Sequence, residues 1–210
     1  MLTNLRRSAV MAAICLVFFG FVYALAGTGV AQVLFPHQAD GSVTSRGSTL
    51  IGQNWAATKC PGHPLGSCVF HGRPDDTGPY AANPKTGASG GDNPLVADGV
   101  AGESAATNLG PRSKVLVANT KALIAYWHEM GVPDPTTDLV TTSGSSYDPD
   151  ITPAAALVQI PMVSKATGVA PAALRRLVAE QTHGAELGFL GSSYITVLQL
   201  NEGLASLEHQ

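Results

Sequence analysis

Residues 9–30 read AVMAAICLVFFGFVYALAGTGV, and this stretch decides the architecture. It holds 22 residues without one ionised side chain. Coiled as a helix it spans about 33 Å, enough for the hydrocarbon core of a bilayer. Arg6 and Arg7 stand just before it, and the apolar run continues through Val33, Leu34 and Phe35 to a helix exit at Pro36. Basic residues beside a span tend to remain in the cytoplasm. The expected layout is therefore a cytoplasmic N-terminus over 1–8, a transmembrane anchor over 9–35, and an extracytoplasmic domain over 36–210. Tyr23 would sit near the far interface. The alternative is a cleaved signal peptide, because Ala24-Leu25-Ala26 fits the small-x-small pattern. The run outlasts that point, which favours the anchor, and either reading exports the body.

Outward from the span the composition is spare. Of 210 residues, 13% are charged, against about a quarter in ordinary soluble domains. The length allows one domain with an appendage. Past residue 35 the chain holds ten basic and fifteen acidic side chains, a net of −5 against −3 for the whole. An acidic body argues against nucleic acid, which needs clustered Lys and Arg. The 23 Gly and 14 Pro argue against a simple helical bundle.

Residues 36–112 read as loop-rich. Thr49-Leu50-Ile51-Gly52-Gln53 is a candidate strand with Cys68-Val69-Phe70-His71 as its neighbour, and residues 72–110 are punctuated by Pro and Gly turns. So long an irregular stretch suggests binding or a partner's support. Val115, Leu116, Ala122, Leu123, Tyr126 and Trp127 recur at helical spacing up to Gly131 and Pro133. Residues 138–142 (DLVTT) read as a strand. Thr152-Pro153 reads as a helix cap, and Pro161 is expected to kink or end that helix. Residues 171–180 form the clearest helix, closed by Gly184, and residues 194–200 are a strand or the start of a last helix. The sum is an α+β chain: a single N-terminal transmembrane helix followed by one mixed α/β extracytoplasmic domain.

Few residues announce chemistry. Cys60 and Cys68 enclose seven residues, and in an exported loop such a pair is expected to be oxidised. Free thiols remain an alternative, as does a compressed Cys2His2 metal set with His63 and His71. Cys15 lies in the span as a small packing residue. There is no phosphate-binding G-x-x-x-x-G-K-[ST] loop, no G-x-S-x-G elbow and no H-E-x-x-H pair. Lys85-Thr86-Gly87 follows Pro84, where a phosphorylated aspartate would be needed. Ser89-Gly90-Gly91-Asp92-Asn93 makes a turn whose amides could cradle an anion, though Asp92 opposes that use. Asp148, Asp150 and Ser143 to Ser146 look like turn chemistry ahead of a capped helix. His183 fits a helix C-terminus, and Gln159 a polar position on the surface or at an interface.

The order of these short motifs resembles the KdpC family, the C subunits of Kdp potassium-transporting P-type ATPases. The carrying pieces begin with Gly47-Ser48-Thr49-Leu50-Ile51-Gly52-Gln53-Asn54, Phe70-His71-Gly72-Arg73-Pro74 and Ala88-Ser89-Gly90-Gly91-Asp92-Asn93. Asn108-Leu109-Gly110-Pro111, residues 138–145 (DLVTTSGS), Asp148-Pro149-Asp150-Ile151-Thr152-Pro153, Gln159-Ile160-Pro161 and Val197-Leu198-Gln199-Leu200-Asn201 follow. The resemblance covers almost the whole chain. It departs at Asp92, Tyr147 and Met162, where the family usually has Ser, Leu and a basic residue, and residues 60–68 look like an insertion. The resemblance implies a non-catalytic subunit in the plasma membrane, with a channel-like subunit carrying potassium and a P-type ATPase subunit hydrolysing ATP. It implies support of assembly and a raised ATP affinity of the hydrolysing partner. It makes Ser89, Gly90, Gly91, Asn93 and Gln159 candidates for a nucleotide-linked role, with ATP as the implied cofactor. Gly52, Gln53, His71, Gly72 and Arg73 become partner-facing or fold-defining candidates. The alternatives from other classes are a freestanding exported binding protein and an exported Ser-His-Asp hydrolase.

Overall fold

A computed structural model describes residues 2–53, 55–56, 58–74, 106–145 and 147–208. The chain divides into two compact units, Met1–Ser48 and Thr49–Gln210.

The first unit is the apolar helix with a short tail. Helix α1 (Leu2–Val17) passes through a π-helical stretch, Phe18–Val22, into α2 (Tyr23–Leu34). The 33 residues Leu2–Leu34 form a helix long and apolar enough to cross a membrane. At about 1.5 Å per residue it measures about 50 Å, more than a bilayer core alone requires. Its large side chains face outward, Leu16, Phe19, Phe21 and Leu25 among them, as a lipid-facing helix demands. The one-turn α3 (Pro36–Ala39) follows, opened by a proline that fits the first helical position. A tight hairpin then pairs β1 (Val43–Thr44) with β2 (Gly47–Ser48).

Among the described residues of the second unit, the regular structure is chiefly helix, with irregular chain between the elements. Helix α4 (Lys114–Glu129) opens at Ser113, whose Oγ accepts the Leu116 amide at 3.4 Å. It buries Leu123 and Trp127. Gly131, in the left-handed region at φ 86°, follows its end. The one-turn α5 (Thr137–Val140) precedes β3 (Asp150–Ile151) and α6 (Pro153–Thr167). Helix α7 (Pro171–Glu180), β4 (Ile195–Thr196) and α8 (Val197–Glu208) complete the unit. Strands β3 and β4 pair antiparallel, Asp150 opposite Thr196 and Ile151 opposite Ile195. Helix α6 packs on α7, and α7 on α8. The core gathers Phe70, Leu123, Trp127, Leu139, Ile160, Leu174, Ile195, Leu200 and Leu204. At about 25 cal/mol per Å2 of buried apolar surface, these large side chains dominate the stability of the unit.

Several expected elements take another form. Residues 49–53 are turns and irregular chain, not a strand. Leu50 and Ile51 are both half exposed or more, so no buried face rewards strand pairing. Residues 68–71 are not a strand either, because side-chain amides from two helices take the backbone groups of Phe70 and His71. The stretch 138–142 begins as the helical turn of α5. Leu139 and Val140 are both buried there, Leu139 with its amide donating to Thr136 O at 3.0 Å within the turn. Pro161 does not end α6, which runs on to Gly168 at φ 76°. Pro161 lies on the exposed side, where water can serve the Leu157 carbonyl its missing N–H leaves free. Helix α7 keeps its expected range, 171–180, but its C-cap is Gln181 rather than Gly184.

Candidate functional site: the clamped Phe70–Arg73 segment and the loops around Asp148

Two carboxamides hold one short piece of backbone. Asn201, on the buried face of α8, accepts the Phe70 amide at 2.8 Å and donates to the Phe70 carbonyl at 2.9 Å. Gln159, in the middle of α6, accepts the His71 amide at 2.8 Å and donates to the His71 carbonyl at 3.1 Å. Its Nε2 also donates to Ala155 O at 3.0 Å. Each side chain thus imitates one rung of a β-ladder, satisfying a donor and an acceptor that would otherwise be buried unpaired. Gln159 is 0% exposed and Asn201 3%, so neither stands at the surface. A polar residue so deep in an apolar helix face is tolerated because every strong group is used.

His71 completes the node. Its ring lies edge-on to Trp127, centroids 5.3 Å apart, and Nε2 is 2.7 Å from Gly66 O. A carbonyl can only accept, so Nε2 carries the proton. Burial holds the imidazole down at about 4, against a weaker opposing pull from the Gly66 hydrogen bond. His71 is therefore neutral near pH 7 and enclosed within the fold. Gly66 belongs to the loop closed by Cys60 and Cys68, which are joined as a disulfide with Cα atoms 5.6 Å apart. As a disulfide the two cysteines offer no thiolate to a metal set with His63 and His71.

Just past the clamp, Arg73 gathers three loops. It donates to Asp148 Oδ2 at 3.5 Å, Thr141 Oγ1 at 3.4 Å and Thr142 O at 3.0 Å. The ion pair is about a third exposed and contributes little by itself. Its geometry matters more than its charge, since a planar guanidinium fixes several acceptors at once. Asp148 Oδ1 accepts the Asp150 amide at 3.2 Å, and Asp150 Oδ1 accepts from Thr196 Oγ1 at 2.7 Å. Burial pushes the Asp150 carboxyl up, the Thr196 hydrogen bond pulls it down, and the Asp148 charge raises it further. Gly52 donates to Tyr147 O at 2.9 Å, and a Cβ there would collide with the Asp148 carbonyl. A Cβ on Gly72 would meet the same carbonyl oxygen at 3.9 Å. Gly52 and Gly72 therefore both approach the Asp148 carbonyl, and Gln53, next to Gly52 in sequence, is half-buried.

Residues distant in the chain thus converge: 52, 72–73, 141–142 and 148–150. Of the nucleotide-linked candidates, Gln159 is enclosed in the core, and Ser89, Gly90, Gly91 and Asn93 lie outside the described residues. Met162 is likewise buried, at 3% exposure. His183 does not cap a helix. It pairs with Tyr194 and stacks on its ring at 5.0 Å. Two structural roles were not assigned from the sequence. Asn201 forms half of the clamp. Asp138 Oδ2 accepts both the Thr152 amide at 2.8 Å and its hydroxyl at 2.7 Å, tying α5 to the start of α6. For Gln159 the available signal was a lone carboxamide inside an apolar run, Val158-Gln159-Ile160; Asn201, close to Gln199 and beside Glu202, carried no such signal.

Comparison with known proteins gives a consistent result. The family described as KdpC: K+-transporting ATPase, c chain, matches residues 5–206. The "Potassium-transporting ATPase KdpC subunit" of Methylorubrum extorquens is 41% identical over 214 aligned positions, 99% of this chain and 98% of that protein. The protein of the same name from Methylobacterium nodulans is 40% identical, with the same coverage. That from Gloeobacter violaceus is 38% identical over 92% of this chain and 91% of its own length.

Proposed function

The chain belongs to the KdpC family of K+-transporting ATPase c chains, and from that premise we propose that it is a single-pass, non-catalytic accessory subunit of an ATP-driven potassium importer. Its role is to support assembly and to raise the ATP affinity of the hydrolysing subunit. The observation that carries this reading is the span of the similarity, which takes in the apolar helix and the body together. Potassium passes through a channel-like partner and ATP is hydrolysed on a P-type ATPase partner. The helix packs among partner helices, where Gly20, Gly27 and Gly29 leave open surface for close approach. Arg6 and Arg7 favour a cytoplasmic N-terminus and an extracytoplasmic body. ATP then lies across the membrane from the body, and the effect on ATP affinity is transmitted through the assembly.

The chemistry of the body suits this role. Gln159, Asn201 and His71 spend their polar groups on the backbone, and Arg73 spends three contacts on loop geometry. Such an arrangement presents shaped loops rather than reacting groups. Purification of the full-length chain from native membranes in detergent tests the reading. The expected result is a P-type ATPase and a channel-like subunit at near-equal stoichiometry, and a complex lacking this chain that has a higher KM for ATP. Recovery of a lone chain beginning at Gly27 would instead support a freestanding exported binding protein.

A further inference from the structure

The segment between α7 and β4 folds back on itself, and its base and tip differ in chemistry. At the base, His183 and Tyr194 exchange backbone hydrogen bonds of 2.9 and 3.1 Å, and their rings stack. Nearer the tip, Glu186 and Leu190 exchange two more at 2.9 Å, and the Gly188 amide donates to Ala185 O at 3.0 Å. The tip therefore has a defined shape. It holds out three large apolar side chains: Leu187 at 81% exposure, Phe189 at 75% and Leu190 at 51%. Leu187 also sits in the left-handed region at φ 52°, a conformation that favours Gly or Asn. A leucine held there gains no burial within the chain to offset the strain.

Charge indicates what covers such a tip. After Arg176 the chain has no Lys or Arg, and residues 184–191 carry one charged side chain, Glu186. Loops that dock on a bilayer usually add basic residues for its anionic headgroups. This one offers only Glu186. A groove on a protein is the better match, since interfaces take aromatic and aliphatic anchors into desolvated pockets inside a polar rim. A hairpin already fixed by its own backbone bonds loses little entropy on docking.

We propose that residues 184–191 form an anchoring knob that seats Leu187, Phe189 and Leu190 in an apolar groove with a basic rim on another subunit of the same ATPase. The proposal rests on the accessory-subunit reading above. The test uses the full-length chain in native membranes, with Phe189 replaced by photoreactive benzoylphenylalanine. Irradiation is expected to yield an adduct with a partner polypeptide. An adduct confined to lipid, or no protein adduct, overturns the proposal. In parallel, Phe189→Ser and Leu187→Gly are compared with the unaltered chain for recovered partners. Leu187→Gly keeps the left-handed backbone and removes only the side chain. Recovery is expected to fall about tenfold or more, with an unchanged unfolding midpoint. Equal recovery by folded variants sinks the knob alone. An unaltered chain that recovers no partner sinks the subunit reading and the knob with it.

Discussion

Replacing Gln159 by leucine removes a clamp without opening a large cavity. The substitution deletes the acceptor of the His71 amide, at 2.8 Å, and the donor to the His71 carbonyl, at 3.1 Å. These are the partners the structure gives those two backbone groups, and the site is fully enclosed. Each buried group left unpaired costs about 1–3 kcal/mol, so the pair costs about 2–6 kcal/mol before relaxation. The leucine recovers part of this by burying apolar surface in place of an amide, leaving an expected loss of about 2–4 kcal/mol. The stability of a domain is about 5–15 kcal/mol in total, so the effect is large. Denaturant unfolding of the full-length chain in detergent, with Gln159→Leu beside the unaltered protein, reads it directly. A double variant with Asn201→Leu should lose less than the two single losses together, because both side chains hold one segment. A loss below about 0.5 kcal/mol for Gln159→Leu, the range of ordinary surface changes, would refute the reasoning.

Other consequences follow from the same node. Burial takes the His71 imidazole from 6.5 to about 4 on folding, so the unfolded chain binds the extra proton first. Stability is therefore complete above about pH 6.5 and falls as pH drops towards 4, by about 3 kcal/mol in all. Acid unfolding of His71→Gln should lack this component, and an identical pH profile would contradict it. Opening the Cys60–Cys68 bridge by Cys60→Ser with Cys68→Ser, a sequence separation of 8, should cost about 2–3 kcal/mol, read from the unfolding midpoint with and without reductant. Gly66 sits at φ 76°, and a Cβ there would lie 2.7 Å from His71 Cε1 and 3.1 Å from Ala56 Cα. Gly66→Ala should therefore cost about 2–4 kcal/mol, and a midpoint unchanged in calorimetry would mean the loop moves aside freely.

Local rules carried far where they governed the outcome alone. The apolar helix, the Thr152-Pro153 cap and the bounds of α7 were all legible from residue type and spacing. The errors share one cause. Residues 68–71 and 138–142 have strand-like composition, but their backbone partners come from remote positions or the next turn. Asn201 is 131 residues from Phe70 and Gln159 is 88 from His71, separations no local pattern reports. Pro161 does not end α6, because its cost depends on which side of the helix it occupies, and that is a tertiary property. The motif residues were identifiable as a set, while their roles were not. Gly52 is small because the Asp148 carbonyl lies against it, and Gln159 is polar because the His71 backbone requires it.

The account depends most on where the body lies, since an extracytoplasmic body cannot touch ATP. Lys121 is exposed on α4, Cys15 lies in the apolar helix, and Cys60 and Cys68 are paired, so Lys121→Cys adds a single accessible thiol to the body. A membrane-impermeant maleimide applied to intact cells expressing that variant decides the matter. The account predicts labelling at 121 before the membrane is breached. Labelling only after permeabilisation would place the body in the cytoplasm and contradict an effect on ATP affinity transmitted without contact.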